Sequence, residues 1–352
     1  MAYTTIDDPS EYFQTAIWTG TGSSQTITND GNSNLKPDWI WIKCRSNARD
    51  HVLLDSTRGG TKALVSNTDG AEATDGAITS FNTDGFTHGG QNAYGGNGET
   101  HVGWQWKCNG GTKADNNDGS ITVNLQVNQA AGFSIGTYTG TGSQLTLGHG
   151  LGAVPKLHIT KKLNAADAWN VYHESIGNTH GLRLNNTDAK EDFGFYGDTS
   201  PTSSVFTVGG VTDNDRLNTN GGSYVFYSFA EKQGYSKFGS YKGNGNADGT
   251  FVYTGFKPAF VIVKSSSEQA DWELSDNKRT TSGGNVIDKE VRPNTNAAET
   301  GGTDGRYIDY YSNGFKLRQG FGNWNGSNGT YIYMAFAEAP LVGSNNTPCT
   351  AR

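Results

Sequence analysis

The sequence is poor in charge and in sulfur, and it has no long apolar run. Charged residues make up 17% of its 352 positions, and the formal net charge is −7. With no basic run of five, it lacks the concentrated positive field that a phosphate backbone selects, which excludes nucleic acid as a partner. No segment approaches the roughly 18 apolar residues of a membrane span. The stretch from Met1 to Tyr12 has neither the basic start nor the apolar core of a secretory leader. The expectation is therefore synthesis in the cytoplasm without membrane insertion. The three cysteines, Cys44, Cys108 and Cys349, are odd in number and lack C-x-x-C spacing, so neither a disulfide framework nor a zinc cage is predicted. Amphipathic helical periodicity is nearly absent. Glycine (49 residues) and aromatics (16 Tyr, 16 Phe, 8 Trp) are plentiful. A disordered chain exchanges aromatics for charge, so this composition predicts a folded, β-rich, turn-rich protein.

The chain repeats itself at a domain-sized spacing. An aromatic followed by a Gly-x-Gly turn recurs as Trp18-Thr-Gly20-Thr-Gly22, Tyr138-Thr-Gly140-Thr-Gly142 and Tyr241-Lys-Gly243-Asn-Gly245. Pro37, Pro155 and Pro258 then lead apolar runs that end at Lys43, Lys161 and Lys264, and eight residues beyond each lysine stand His51, Trp169 and Trp272. Phe86, Phe206 and Phe315 open a late strand, and the aromatic closers begin at His101, Tyr224 and Tyr331. The apolar runs are short, β-branched or aromatic, and bounded by Gly, Pro, Asn and Asp, which is the signature of strands. The lysine-terminated and closing runs are continuously apolar, as strands in the middle of a sandwich would be. The predicted fold is all-β, with three tandem antiparallel β-sandwich (jelly-roll-like) domains. Their expected bounds are an arm over 1–12, units over 13–110, 132–236 and 237–343, a linker with its own strand over 111–131, and a tail over 344–352.

Each chemical motif has a plainer structural counterpart. The Gly-x-Gly turns lack the third glycine and following helix of a nucleotide fingerprint, so they are read as hairpin turns that need positive φ. His51 with Asp55, and His173 with Glu174, are the closest base–acid pairings, but no nucleophile accompanies them. No catalytic residues and no metal ligands are assigned. No cofactor is expected beyond a possible Ca²⁺ at the Asp115-Asn-Asn-Asp-Gly119 or Asp213-Asn-Asp215 oxygens, which lack the EF-hand order of ligands. Lys43, Lys161 and Lys264 are expected to snorkel to water, and Trp169 and Trp272 to lie in the core. Sugar-binding surfaces set rings among amides. The segment Phe321-Gly-Asn-Trp-Asn-Gly-Ser-Asn-Gly329 therefore nominates Trp324, Asn323 and Asn325 as contact residues, and His88-Gly-Gly-Gln-Asn-Ala-Tyr94 nominates Asn92 and Tyr94.

Several longer motifs resemble one family. They include Met1-Ala-Tyr-Thr-Thr-Ile-Asp-Asp-Pro9, Leu54-Asp-Ser-Thr-Arg-Gly59, Thr79-Ser-Phe-Asn-Thr-Asp-Gly-Phe86, Gly148-His-Gly-Leu-Gly152, Val171-Tyr-His-Glu-Ser175 and Tyr331-Ile-Tyr-Met-Ala-Phe-Ala-Glu338. Together they are similar to repeat-built virion structural proteins (tail-fibre, SPRY-like or decoration) of marine bacteriophages. The resemblance implies a virion component but carries no catalytic residues. It leads to the expectation of a non-enzymatic tail-fibre or capsid-surface protein that meets other virion proteins and a host-surface glycan and forms a homo-oligomer, a trimer being favoured. The alternatives are a purely architectural capsid decoration protein and a polysaccharide-degrading fibre. One departure is visible: the first unit has His51 where the others have Trp, and it lacks their Ala-Glu ending.

Overall fold

The computed structural model describes residues 2–75, 77–209, 215–281, 285–301 and 308–348. Each unit is built on one antiparallel sheet with the same internal order of opening, closing, inner and fourth strand. The opening strands are Phe13–Thr19, Phe133–Thr139 and Ser236–Lys242, and the closing strands are Thr100–Trp106, Ser223–Phe229 and Thr330–Pro340. The inner strands are Trp39–Cys44, Leu157–Lys162 and Phe256–Ser265, and the fourth strands are Val52–Asp55, Asn170–His173 and Trp272–Asp276. A smaller antiparallel sheet covers one face of each, made respectively by Gln25–Ile27 with Phe86–His88 and Ile78–Phe81, by Leu145–Gly148 with Val205–Val208, and by four strands between Phe251 and Leu317. The chain is thus all-β and built from antiparallel sandwiches.

The period-2 geometry of a strand explains why the inner and closing runs are apolar throughout. Ile40 and Ile42 face the first unit's own small sheet, as Val261 and Val263 do in the third. The alternate residues face away from it. Trp39, Trp41, Trp104 and Trp106 from unit one, Leu157, Ile159, Tyr227 and Phe229 from unit two, and Phe260, Ile262, Met334 and Phe336 from unit three form a single shared core. Trp39 stacks on Tyr227 at 4.6 Å, Phe229 meets Phe336 at 5.8 Å, and Phe336 meets Phe13 at 5.4 Å, so all three pairs of units touch. The units are consecutive in sequence but closed into a ring in space.

The flanking segments belong to this ring. In the stretch 111–131, Val123–Asn128 pairs with the second unit's opening strand and Ala114–Asn116 pairs outside it, which extends that sheet by two strands. The arm is packed down. Ile6 joins the shared core, Tyr3 Oη donates to Gly255 O (2.7 Å) of the third unit, and Thr4 Oγ1 donates to Gln233 O (2.7 Å) in the turn that leads into that unit.

Candidate functional site

The loop nominated around Trp324 is one copy of a recurring turn. Short helices at Asn92–Gly95, Asp215–Asn218 and Gly322–Asn325 sit at equivalent places before the closing strands. In each, one residue plugs the unit's own core: Tyr94 is 0% exposed, Leu217 1% and Trp324 6%. Their backbone carbonyls accept, in turn, Trp18 Nε1 (3.0 Å), Tyr138 Oη (2.6 Å) and Tyr241 Oη (2.5 Å) from the opening strands. The expectation that Trp324 and Tyr94 offer their rings to a ligand is therefore corrected, because both rings are spent on packing. Trp324 Nε1 donates to Glu290 Oε2 (2.9 Å) and Tyr94 Oη to Gln91 Oε1 (2.5 Å).

Asn325 is also structural. Its Oδ1 accepts Asn244 N (3.0 Å), and its Nδ2 donates to Asn246 O (3.0 Å) and Gln319 O (2.7 Å), latching the Gly-x-Gly turn to the helix. Asn218 makes the matching bonds to Thr141 N and Ser143 O. Only the second glycine of each turn has positive φ, at 72°, 76° and 69° for Gly22, Gly142 and Gly245. The first is required for close approach: a Cβ on Gly140 would stand 2.3 Å from Thr219 O. Asn92 is exposed, while Asn323 Nδ2 donates to Glu273 Oε1 (2.6 Å).

Beneath Trp324 lies a pair of buried carboxylates that the sequence reading did not find. Arg292 Nε bonds Glu273 Oε1 (3.1 Å) and its Nη2 reaches Glu290 Oε1 (3.5 Å). Burial, and then the charge of Glu290, push the Glu273 carboxyl well above the usual carboxylate range. The adjoining cavity, bounded by Glu290, Gln319, Phe321 and Trp324, holds about 10 Å³. That is room for about one water, and no sugar ring fits beside these acids.

The titratable residues singled out in the sequence hold the ring together. The lysines do not reach water: all three are 0% exposed. Each donates to a carbonyl of the preceding unit, Lys161 to Asp69 O (3.1 Å), Lys264 to Thr187 O (3.1 Å) and Lys43 to Asn296 O (3.0 Å), which closes the circle. Desolvation lowers each ammonium to about 8. Two residues beyond each lysine, Leu163 O, Ser266 O and Arg45 O accept N–H groups from Glu72, Lys190 and Glu299 of those same loops.

Trp169 and Trp272 are core residues whose indole N–H groups also cross the joints, to Val65 O (2.8 Å) and Arg183 O (2.9 Å). At the third joint His51 stands beside the Arg292 backbone, and its Nδ1 accepts Trp41 Nε1 (3.0 Å). His51 and Asp55 do not pair. Asp55 instead takes Arg58 (2.6 Å) and Tyr227 Oη (2.7 Å), the latter from the next unit. Asp276 repeats this arrangement with Arg279 (2.6 Å) and Trp104 Nε1 (2.9 Å). His173 likewise turns from Glu174: its Nδ1 accepts Ser175 N, and its Nε2 lies 3.2 Å from Tyr333 O of the third unit.

At the proposed calcium loop, Asn116 and Asp118 bond one another and Asp115 takes Asn124 Nδ2 (2.8 Å), the pattern of an Asx turn. Asp213 and Asn214 lie outside the described residues.

One outward-facing aromatic surface escaped the sequence reading. Phe251 and Tyr253, 43% and 52% exposed, alternate with buried Val252 on the edge strand Phe251–Tyr253 of the third unit. Phe251 meets Tyr311 edge-on at 6.1 Å, Lys316 is the partner of Phe251 on the neighbouring strand, and Asp309 lies on the strand beyond. The alternation Phe-Val-Tyr between threonines was the available signal.

No curated protein matches this chain. Among solved structures, the crystal structure of the STIV MCP aligns over 57% of this chain and 95% of its own, at 8% identity and a TM-score of 0.18, too loose a superposition to bear on architecture. A family model described as a domain of unknown function, DUF7483, matches residues 8–340. That span takes in all three units and their shared core, and the chain belongs to the DUF7483 family.

Proposed function

We propose that this protein is a non-enzymatic structural component of a virion, displayed on a tail fibre or capsid surface, where the aromatic edge of the third unit meets a host-surface glycan. The observation that carries this reading is the closed ring: three repeats, each joined to the next by a buried lysine and by aromatic packing in one shared core. Such a construction suits a rigid, multi-faced particle part. Phe251, Tyr253 and Tyr311 take the place first assigned to Trp324, since a flat ring with nearby charged and hydroxyl groups suits the apolar face of a pyranose. The acidic net charge and the lack of a basic patch in the sequence favour a sugar or protein partner over nucleic acid.

The test is mass spectrometry and immunogold labelling of purified particles of the encoding virus, followed by glycan-array binding of the wild-type protein and a Phe251→Ala/Tyr253→Ala variant. Label on the particle surface and glycan binding that the double variant loses by at least tenfold are expected. Absence of the chain from purified particles would overturn the virion reading. Particle-bound protein that ignores glycans, with the aromatic edge packed on a neighbour, would leave an architectural decoration protein instead.

A further inference from the structure

The first unit departs from the other two at two adjoining positions. At the head of the closing strand it has His101 where they have Tyr224 and Tyr331, and after the inner-strand lysine it has Cys44 where they have Lys162 and Ser265. Cys44 and His101 are direct β partners. The other units show what this place does when it is purely structural. Tyr224 and Tyr331 stack on Tyr138 and Tyr241 at 11° and 15°, and their hydroxyls reach the loop backbone at Thr219 N and at Gly322 O and Gly326 N.

His101 keeps the stack, at 20° on Trp18, but its shorter ring loses the loop. It is 0% exposed, and neither ring nitrogen has a hydrogen-bond partner; the Gly96 backbone acts on the ring without reaching hydrogen-bond geometry. A buried imidazole with both nitrogens unpartnered is costly. What faces it is a thiol and a carboxylate: one donor atom each from Cys44, Glu99 and His101 lies within 4.8 Å of the others.

We propose that Cys44, Glu99 and His101 form a site for a divalent transition-metal ion of the zinc class, with water in the fourth position. Sulfur, imidazole nitrogen and carboxylate oxygen are the zinc donor set. Ligand atoms around tetrahedral zinc stand roughly 3.5 Å apart, so the triad needs to close by about an ångström. Glu99 is already oriented for this. Its Oε1 is held by Arg49 Nη2 (2.7 Å) and Asn47 Nδ2 (2.8 Å), while Oε2 faces Cys44 Sγ (3.4 Å) and is shared with Arg49 Nε at the same distance (3.4 Å), a long contact that an ion would displace. The thiol gives its proton to solvent on binding, and thiolate plus carboxylate then balance the ion's two charges. Lys43 Nζ stays outside, engaged by Arg49 O (2.6 Å) and Asn296 O (3.0 Å). A bound ion would tie the end of the inner strand to the loop before the closing strand, once per chain, whatever role the protein has in a particle.

The metal-free full chain is titrated with Co²⁺, reading the thiolate-to-cobalt charge-transfer absorption, and then back-titrated with Zn²⁺. One equivalent of cobalt, displaced by zinc, is expected. His101→Tyr and Cys44→Ser each install the residue another unit carries at that position, and each should weaken binding at least 100-fold. Should His101→Tyr fail to fold by circular dichroism, Cys44→Ser decides. Cys349→Ser should bind as wild type. The proposal is overturned if the wild-type chain gives no thiolate band, if Cys44→Ser keeps a full one, or if Cys349→Ser abolishes it.

Discussion

Replacing Trp39 by alanine tests whether three units or one body unfolds. Trp39 is 0% exposed and touches rings of two units, Trp106 at 4.5 Å and Tyr227 at 4.6 Å, with Phe133 and Phe229 at 6.0 Å. Truncating a buried tryptophan costs about 3–5 kcal/mol, and the lost ring pairs put this site at about 4 kcal/mol or more. How that cost appears in calorimetry depends on the size of the cooperative unit. Unfolding entropy is about 2.1 cal/mol/K per residue, or ~0.7 kcal/mol/K for all 352 residues but ~0.2 for a unit of about a hundred. If the ring melts as one body, 4 kcal/mol lowers its single transition by about 5 °C. If unit one melts alone, a separate peak with about a third of the enthalpy drops by ~20 °C while the rest stays in place. The single transition with the small shift is expected. A split endotherm, or an unchanged melting temperature, would refute the shared core as the source of cohesion.

Three further outcomes follow from buried charge and backbone geometry. Burial holds His51, His88, His101, His149, His158 and His173 below the ordinary histidine value, with His88, His101 and His173 at about 4. The unfolded chain therefore takes up protons first as pH falls below about 6.5, and the histidine contribution to stability, complete above that value, drops toward pH 4 by about 1 kcal/mol per pH unit for each such group. Urea midpoints at pH 7.5, 6 and 5 should fall in that order, and a flat profile would contradict the burial. Arg279→Met strands Asp276 and Glu299 and should cost about 3–5 kcal/mol by guanidinium unfolding, part of it regained in Asp276→Leu/Arg279→Met; no recovery would mean the guanidinium acts by packing. Gly142→Ala, with φ at 76° and its Cβ nearest the Asn220 side chain at 3.2 Å, should cost about 1–2 kcal/mol, whereas Gly140→Ala, which drives a Cβ to 2.3 Å from Thr219 O, should cost more; equal costs in thermal melts would argue against the close approach.

The all-β class, the threefold repeat and the late strands at Phe86, Phe206 and Phe315 were legible because strand periodicity and glycine turns are local signals. The shared core was only half legible. Trp39-Ile-Trp-Ile-Lys43 announces a strand buried on both faces, but the pattern does not name what covers the second face, and a sandwich interior accounts for it as well as a neighbouring unit does. The lysines were misjudged for the same reason: a lysine ending a buried strand snorkels when the strand ends at water, and these end at another unit's carbonyl. Trp324 misled because its neighbours Asn323, Asn325 and Gly326 are polar, although alignment with Leu217 marks a core position. Glu273 and Glu290 are far apart in sequence, and only sheet pairing and Arg292 bring them together.

A ring of three identical chains would have to carry every substitution three times, with each one acceptable at all three joints. Here one chain supplies all three sectors, so His51 can occupy a single joint while Trp169 and Trp272 hold the other two, and Phe251 and Tyr253 can face outward from one sector alone. The molecule therefore has a direction around its axis. A neighbour with true threefold symmetry would meet it in three rotational settings that are alike in the core and unequal at the rim, and the rim would decide among them.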